Sequence, residues 1–271
     1  TPFSRIKSTF ADITEEDARA KGYIKGNLKK EEVFSLLKRT TTPTTIYKKQ
    51  KLDRDDVVDI TSFDVVAWLK VEMRMMLNEE IARALLVGDG RLSSSDDKIN
   101  DTNIRPIWTD EALYTVKARY DIKGLTKPSD KAVAFIEAVQ RSRKNYRGSG
   151  EPNMYTTEGM LTEMLMIKDT TGRPIYTTVD ELRATLRVKE IVTVPVMETL
   201  SRVDNAVTYD LQGIIVNLTD YNIGADKGGA VNMFDDFDIE KKKKKYLIET
   251  RCSGALTVPY SAIAVESYVS A

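Results

Sequence analysis

The chain has 271 residues, with 41 acidic and 41 basic side chains and 41% hydrophobic residues. This length fits one large domain or two ordinary ones, and the hydrophobic content is enough for a buried core. Histidine is absent and Cys252 is the only cysteine, which excludes a Ser-His-Asp triad, a cysteine–histidine zinc site and an internal disulfide. We interpret Cys252 as a buried structural thiol. No run of about 20 apolar residues is present, so no membrane-spanning helix is predicted.

Residues 1–30 are polar and are interrupted by Gly22 and Gly26. We expect an arm with little core of its own, in which Thr14 caps a short helix. A second short helix is predicted over EEVFSLLKR, residues 31–39.

The next segment, TTIYKKQKLDRDDVVDITS from Thr44 to Ser62, is typical of a long β-hairpin. Two runs of β-forming residues flank a polar tract that suits a turn. Because a two-stranded ribbon is only marginally stable alone in water, we expect the hairpin to lie on a neighbour and to serve assembly more than subunit folding. Its charges are divided between a lysine-bearing strand and a mostly acidic tip. The candidate inter-subunit contacts are Lys48, Lys49, Lys51, Asp53, Arg54, Asp55 and Asp56.

The strongest predicted element is a helix over SFDVVAWLKVEMRMMLNEEIARALLVGDG. Ser62 or Asp64 is expected to cap its start, and Gly88 and Gly90 to end it. Val66, Trp68, Met75 and Leu85 widen its apolar surface. We interpret its methionines as core packing. The glycines of VGDGR and GADKGG lack the spacing and context of a phosphate-binding loop.

After Asp101 the sequence predicts a mixed unit in which helices and strands alternate. Ser129 precedes one predicted helix, Thr156 is expected to cap a second, and Thr178 with Glu181 forms a capping box for a third. The segments IVTVPVM and LQGIIVNL are predicted strands. The tail, YLIETRCSGALTVPYSAIAVESYV, is also rich in predicted strand and is expected to pair beneath the long helix.

Five consecutive lysines, Lys241 to Lys245, raise the question of nucleic-acid binding. Four acidic residues lie within the six positions that precede the run, and the net charge of the chain is zero. Specific DNA-binding proteins concentrate unopposed positive charge. We therefore interpret the lysines as the exposed end of a strand whose burial begins near Tyr246, where they discourage edge-to-edge pairing. Weak, non-specific contact with nucleic acid is the alternative.

Four stretches carry a family resemblance: VVAWLKVEMRMMLNEEIARALLVGDGR, MLTEMLMIKDTTGRPIY, IIVNLTDYNIGADKGGAVNMFDDFDI and YLIETRCSGALTVPYSAIAV. In this order they resemble the major capsid proteins of tailed bacteriophages, which have the Hong Kong 97-type fold. The resemblance covers essentially the whole chain and implies an α+β fold. The implied parts are an N-terminal arm (1–30), a first peripheral part (31–104) with an extended loop (about 40–61) and a spine helix (about 62–87), an axial domain (105–235), and peripheral strands returning at 236–271.

The resemblance also implies a function. It predicts a structural subunit, without catalysis or a cofactor, that assembles as hexamers and pentamers into an icosahedral shell around double-stranded DNA. The expected partners are portal and scaffolding or protease components, with weak contact to packaged DNA and none to membranes. We expect the protein in the virion capsid, assembled in the host bacterial cytoplasm. A start without methionine resembles family members from which a protease removes an N-terminal scaffolding segment.

Three alternatives stay open from the sequence: an encapsulin-type nanocompartment shell of the same fold, a metabolic enzyme built on the α/β unit, and a nucleic-acid-binding module. Some members of the family crosslink a loop lysine to an asparagine of a neighbour with the help of a glutamate. Glu249 lies where the glutamate is expected, but no asparagine follows Met233. We therefore expect no covalent crosslinking.

Overall fold

The structure, a computed structural model, describes residues 11–12, 35–36, 39–53, 64–225, 231–238, 240 and 243–269. The chain divides into two compact units. We call Thr41–Thr109 with Asn222–Ala255 the helix unit, and Thr1–Thr40, Asp110–Tyr221 and Leu256–Ala271 the α/β unit.

The described helices are α1 Val65–Leu86, α2 Pro128–Ser142, α3 Glu158–Leu165 and α4 Val179–Leu186. Short 3-10 turns occupy Arg143–Asn145, Pro195–Met197 and Leu218–Asp220. The described strands are β1 Ala11–Asp12, β2 Ser35–Leu36, β3 Thr44–Asp53, β4 Thr115–Asp121, β5 Asn153–Thr156, β6 Ile191–Thr193, β7 Ser201–Asp204, β8 Val207–Val216, β9 Tyr221–Ala225, β10 Asn232–Asp238, β11 Lys243–Leu256 and β12 Ala262–Tyr268. Among these residues no helix is both long and apolar enough to cross a membrane.

The helix unit is built around α1, as the sequence predicts. The Asp64 carboxylate accepts a hydrogen bond from the backbone N–H of Ala67 at 3.0 Å, which confirms Asp64 as the N-cap. The predicted stop is also confirmed, because Gly88 and Gly90 have φ angles of +91° and +73°, a region that glycine enters without strain. The alternative cap, Ser62, lies outside the described residues.

A four-stranded sheet packs against α1. Its order is β10-β11-β3, and β9 also pairs with β11. β3 runs antiparallel to β11 over ten residue pairs, from Asp53 opposite Lys243 to Thr44 opposite Cys252. The core between helix and sheet contains these buried side chains: Ile46, Leu69, Met73, Leu77, Tyr246, Ile248 and Cys252. Burial raises the pKa of the Cys252 thiol, which fits the predicted structural role.

β3 is thus part of the subunit's own sheet, which changes the interpretation of the predicted hairpin. Its first strand, residues 44–53, is confirmed, but its described partner is β11. The predicted turn and second strand lie in residues 54–63, outside the described residues. Because Ile46 belongs to the core, residues 44–53 contribute to folding, contrary to the expectation that the arm serves mainly assembly.

The loop after α1 is organised by one buried carboxylate. Asp89 accepts hydrogen bonds from the backbone N–H groups of Ile99 (2.7 Å) and Arg91 (3.2 Å), and Lys98 Nζ lies 3.3 Å from its Oδ1. Burial on its own would raise the Asp89 pKa, but these hydrogen bonds and the Lys98 charge together lower it. Asp89 is therefore ionised in the folded chain, and its hydrogen bonds hold Arg91 and Ile99 close to the end of α1.

The α/β unit contains a six-stranded sheet in the order β4-β12-β8-β5-β6, with β7 also paired to β8. β12 is central, running parallel to β4 and antiparallel to β8. Helices α2, α3 and α4 supply one side of a core that includes Phe135, Met164 and Leu182. Alternating helices and strands were predicted for this region, and the observed architecture is mixed in the same way.

The structure corrects three details of the sequence predictions. The first concerns the helix predicted over residues 31–39, because Ser35–Leu36 is instead a strand that pairs with Ala11–Asp12. A helix of nine residues is too short to be stable without packing. The cap of α3 is Thr157, whose hydroxyl accepts from the Met160 N–H at 3.1 Å, one residue after the predicted Thr156.

The third difference concerns the tail, predicted to return as a whole (236–271) beneath the long helix. Only its first part does so, because β11 lies in the sheet of the helix unit whereas β12 pairs with β4 and β8 in the α/β unit. Conversely, β9 and β10, which fall inside the predicted axial range 105–235, pair with β11.

Candidate inter-subunit surface

The lysines predicted for subunit contact alternate between the two faces of β3. Tyr47, Lys49 and Lys51 share the exposed face, while half-buried Lys48 shares the other with Ile46. Tyr47 is 57% exposed. The structure therefore brings two of the three predicted lysines, together with an aromatic ring, onto one open face of the sheet.

The exposed lysines of β3 carry charge that nothing in the described chain neutralises by an ion pair. Lys51 stands directly opposite Lys245 of β11, and Lys49 stands opposite Leu247. Like charges directly opposite each other destabilise a strand pair. Lys245 forms an ion pair with Asp238, with 2.7 Å between Lys245 Nζ and Asp238 Oδ2. Lys49 and Lys51 have no carboxylate partner among the described residues. Lys49 and Lys51 therefore present positive charge on the exposed face of β3.

The lysine run itself is matched by the acidic strand β10. Lys244 Nζ lies 2.9 Å from Asp235 and Lys245 Nζ lies 2.7 Å from Asp238. Hydrogen bonds to Asp235 and Asp238 raise the pKa values of Lys244 and Lys245. The predicted start of burial at Tyr246 is confirmed, since this side chain is fully buried. The predicted edge position is wrong, because β11 is paired on both sides, by β10 and β3. Lys241 and Lys242 lie outside the described residues.

The tip residues of the predicted hairpin are described only in part. Asp53 is half-buried at the end of β3, directly opposite Lys243. Arg54, Asp55 and Asp56 lie outside the described residues, so their role stays a prediction. Lys48 and Lys49 also line a groove of about 300 Å³ beside β3, together with Glu80, Asp96 and Asp97.

Sequence patterns missed a set of exposed apolar side chains in the helix unit. Phe234 and Phe237 project from β10, and Trp68, Val71 and Met75 project from α1. The prediction that the methionines of this helix pack in the core is confirmed for Met73, which is fully buried, and wrong for Met75. The available signal was the second, outward-facing row of apolar residues on a helix whose inner row already filled the core.

One further expectation changes with the structure. No asparagine follows Met233, but Asn232 stands directly opposite Glu249 on the neighbouring strand. The composition of the tail therefore gives no reason to exclude a lysine–asparagine crosslink.

The described residues contain no cluster of three or more acidic or cysteine side chains placed to hold a metal ion. What the helix unit does offer is extended surface: an unneutralised basic face, an acidic strand and exposed apolar side chains. Such features bind other macromolecules.

The sequence matches the phage capsid family over residues 3–267. The chain belongs to the phage capsid family. Its function within that family is to form the capsid shell of a bacteriophage as the major capsid protein. No curated protein sequence matches the chain.

Solved structures of similar fold agree with this family. A solved structure from Mycobacterium phage Ogopogo superposes with a TM-score of 0.63 at 10% identity, covering 92% of this chain and 83% of that one. The structure titled as the capsid of a native GTA particle gives 0.59 at 13% identity, with 93% and 81% covered. The mature capsid of bacteriophage PhiM1 gives 0.52 at 16% identity, with 92% and 78% covered. The fold is the Hong Kong 97-type capsid fold.

Proposed function

We propose that this capsid protein assembles as hexamers and pentamers into a closed icosahedral shell, and that the exposed face of β3 is one of the contacts between adjacent subunits. The observation that carries the second part is the pair Lys49 and Lys51, which lie exposed beside Tyr47 without a carboxylate partner in the described chain. Arg54, Asp55 and Asp56 extend this contact at the tip, and Lys48 supports it from the groove.

In this proposal the helix unit is the peripheral domain and the α/β unit is the axial domain that gathers around the ring centres. The boundaries follow the compact units, with β12 in the axial part. The protein acts without catalysis, as membership of a capsid family suggests. Portal and scaffolding or protease components are its assembly partners, and assembly takes place in the host cytoplasm before the shell becomes part of the virion.

Contact with packaged DNA is weak and non-specific in this proposal. Lys244 and Lys245 already have carboxylate partners, so these two lysines offer little unopposed charge to phosphates. An encapsulin-type shell is the second candidate from the sequence, but the family match and the similar structures are to phage and GTA capsids, which favours the virion shell.

Charge reversal on β3 tests the proposed contact. The double variant Lys49→Glu/Lys51→Glu should fold, because both side chains are exposed, and should fail to form normal shells, because a weak contact repeated at every subunit reverses sign. Lys49→Arg/Lys51→Arg keeps the charge and is the matched control. Circular dichroism measures folding and electron microscopy measures shells. If the glutamate variant forms normal shells, the exposed face of β3 is not a contact between subunits. That result would not contradict the proposal that the protein assembles into a shell.

A further inference from the structure

Helices α2 and α4 of the α/β unit are each followed by a short basic segment, residues 143–147 and 187–189. Arg143 Nη2 donates a hydrogen bond to the backbone carbonyl of Arg187 at 2.9 Å, so the two segments meet. Together they contain five basic side chains and no acidic one. We call these five residues the basic cluster: Arg143, Lys144, Arg147, Arg187 and Lys189.

The positive charge of the basic cluster is not neutralised within the described part of the chain, where none of its five side chains forms an ion pair. A neighbouring arginine shows the contrast, because Arg141 Nη2 lies 2.8 Å from the carboxylate of Glu137. Glu190 follows Lys189 in the sequence but forms no ion pair with it. The basic cluster therefore leaves several positive charges unopposed on one part of the surface.

Arg143 shows the effect of this excess charge. Its Nη1 atom is buried and has no hydrogen-bond acceptor among the described residues. Burial lowers the pKa of the Arg143 guanidinium, Tyr146 raises it, and the positive charge of Arg187 lowers it. No carboxylate is among these influences. An anion beside the two arginines would stabilise both charges.

The exposure of the basic cluster favours a ligand with many anionic groups over a single ion. Arg143 is half-buried, whereas the other four side chains are exposed. One exposed ion pair contributes only about 0–1 kcal/mol, so a single small ion would be held weakly. A phosphodiester backbone offers closely spaced charges of one sign, and its binding to several cations releases counterions.

A second copy of the chain matches the basic cluster less well. The chain has no net charge, so it does not offer the uniform negative charge that the basic cluster requires. Its acidic strand β10 already supplies carboxylates to Lys244 and Lys245 of the same copy. Turning β10 towards the basic cluster of a neighbour would leave those two lysines unpaired.

We propose that the basic cluster binds the phosphodiester backbone of a nucleic acid without reading its sequence. Arg187 and Lys144 contact phosphate oxygens, and Arg143 adds charge from behind Arg187, to whose carbonyl it is bound. The planar donors of arginine match two oxygens of one phosphate. Contacts of this kind carry no base information. That the nucleic acid is packaged DNA rests on the proposed shell function.

The test measures binding of a labelled DNA duplex of about two helical turns to the unassembled full chain. Fluorescence anisotropy gives the binding constant across a series of salt concentrations. Each cation that neutralises a phosphate should contribute about −0.9 to the slope of log K against log salt. Lys144→Gln/Arg187→Gln should therefore reduce the magnitude of the slope by about 1.8 and weaken binding at low salt at least about tenfold.

Lys244→Gln/Lys245→Gln is the matched control, because it removes the same charge from lysines that have carboxylate partners. It should change the slope by less than about 0.5. Lys144→Arg/Arg187→Lys keeps both charges and should bind like the unsubstituted chain. A glutamate-rich peptide, and inorganic phosphate at equal ionic strength, should each compete less well than unlabelled duplex. Circular dichroism shows whether every variant folds.

Several results would overturn the proposal. Absence of DNA binding at low salt, or equal slopes for Lys144→Gln/Arg187→Gln and the matched control, would show that the basic cluster does not bind the duplex. Stronger competition by the peptide would assign the basic cluster to an acidic protein, and stronger competition by phosphate would assign it to a single ion.

Electron microscopy of assembly reactions separates this site from the proposed function. Lys144→Gln/Arg187→Gln should form normal shells, and loss of shells in this variant would make the basic cluster a contact between subunits instead. If the unsubstituted chain forms no shells but binds DNA through the basic cluster, the proposed shell function is contradicted and the nucleic-acid site stands.

Discussion

Replacing Glu266 with glutamine should destabilise the α/β unit more than any exposed charge change. Glu266 is fully buried on β12. It accepts hydrogen bonds from Arg202 Nε and Nη2 at 2.7 and 3.0 Å and from Arg119 Nε at 3.2 Å. Glu266→Gln keeps the shape but leaves two guanidinium groups without the buried negative charge that they enclose. Removing one partner of a buried ion pair costs about 3–5 kcal/mol.

The expected change in melting temperature follows from this cost. For a unit of this size, 1 kcal/mol corresponds to about 2–4 °C, so Glu266→Gln should melt about 6–12 °C lower, taking the lower end of the cost because glutamine retains one acceptor. The control is Glu137→Gln, whose partner Arg141 lies 2.8 Å away with both side chains exposed. An exposed pair at this spacing contributes about 0.3–0.5 kcal/mol, or about 1–2 °C.

Calorimetry of the unassembled subunit is the assay, because it separates the transitions of two units if they unfold independently. The subunit must be kept dilute, since assembly would raise the apparent stability. If Glu266→Gln melts within about 2 °C of Glu137→Gln, the buried cluster does not hold β12 in place.

Three smaller predictions concern single side chains. Burial lowers the pKa of Lys117 to about 8. Between pH 8 and about 10.4 the unfolded chain therefore binds more protons than the folded chain, so the free energy of unfolding should rise with pH in that window. Urea denaturation measures this rise, which should be smaller in Lys117→Met. Asp89→Asn should lower the free energy of unfolding of the helix unit at pH 7 by about 1–3 kcal/mol and speed hydrogen exchange at the Ile99 N–H. The difference in unfolding free energy between the unsubstituted protein and the variant should become smaller at acidic pH, because Asp89 is then protonated below its lowered pKa. Ala206 has a φ of +64° in the β7–β8 turn, a backbone conformation that costs alanine about 1 kcal/mol. Ala206→Gly should therefore raise the melting temperature by a few degrees. An unchanged or lower melting temperature would show that the backbone is not strained at this residue.

The elements that the sequence predicted well are those with strong local signals. The long helix has an aspartate cap and two glycines at its end, and both devices operate as expected. Thr178 likewise caps α4 by accepting from the Glu181 N–H. The alternation of the strand after the lysine run placed the start of burial at Tyr246, because a strand alternates faces regardless of its neighbours.

The elements that the sequence missed depend on pairing across long distances. Nothing local shows that β11 pairs with β3, about 200 residues earlier, or that β12 inserts between β4 and β8. The lysine run was predicted at an edge for the same reason. Met75 was placed in the core wrongly because an apolar residue on a helix gives no sign of which of two rows the subunit buries.

The candidate site was predicted in part. The strand that carries Lys49 and Lys51 was predicted, and alternation along it separates their exposed face from Ile46. Their role in a subunit contact stays a prediction. Their opposition to Lys245 was not predictable, since it requires the register between β3 and β11.

Electron cryomicroscopy of the protein, expressed with its assembly partners and purified at several concentrations, tests shell formation most directly. We predict closed shells in which hexamers and pentamers share one subunit fold, with the β3 face against an adjacent subunit. A compact monomer under every condition, or closed particles in which β3 contacts no neighbour, would contradict the proposed assembly.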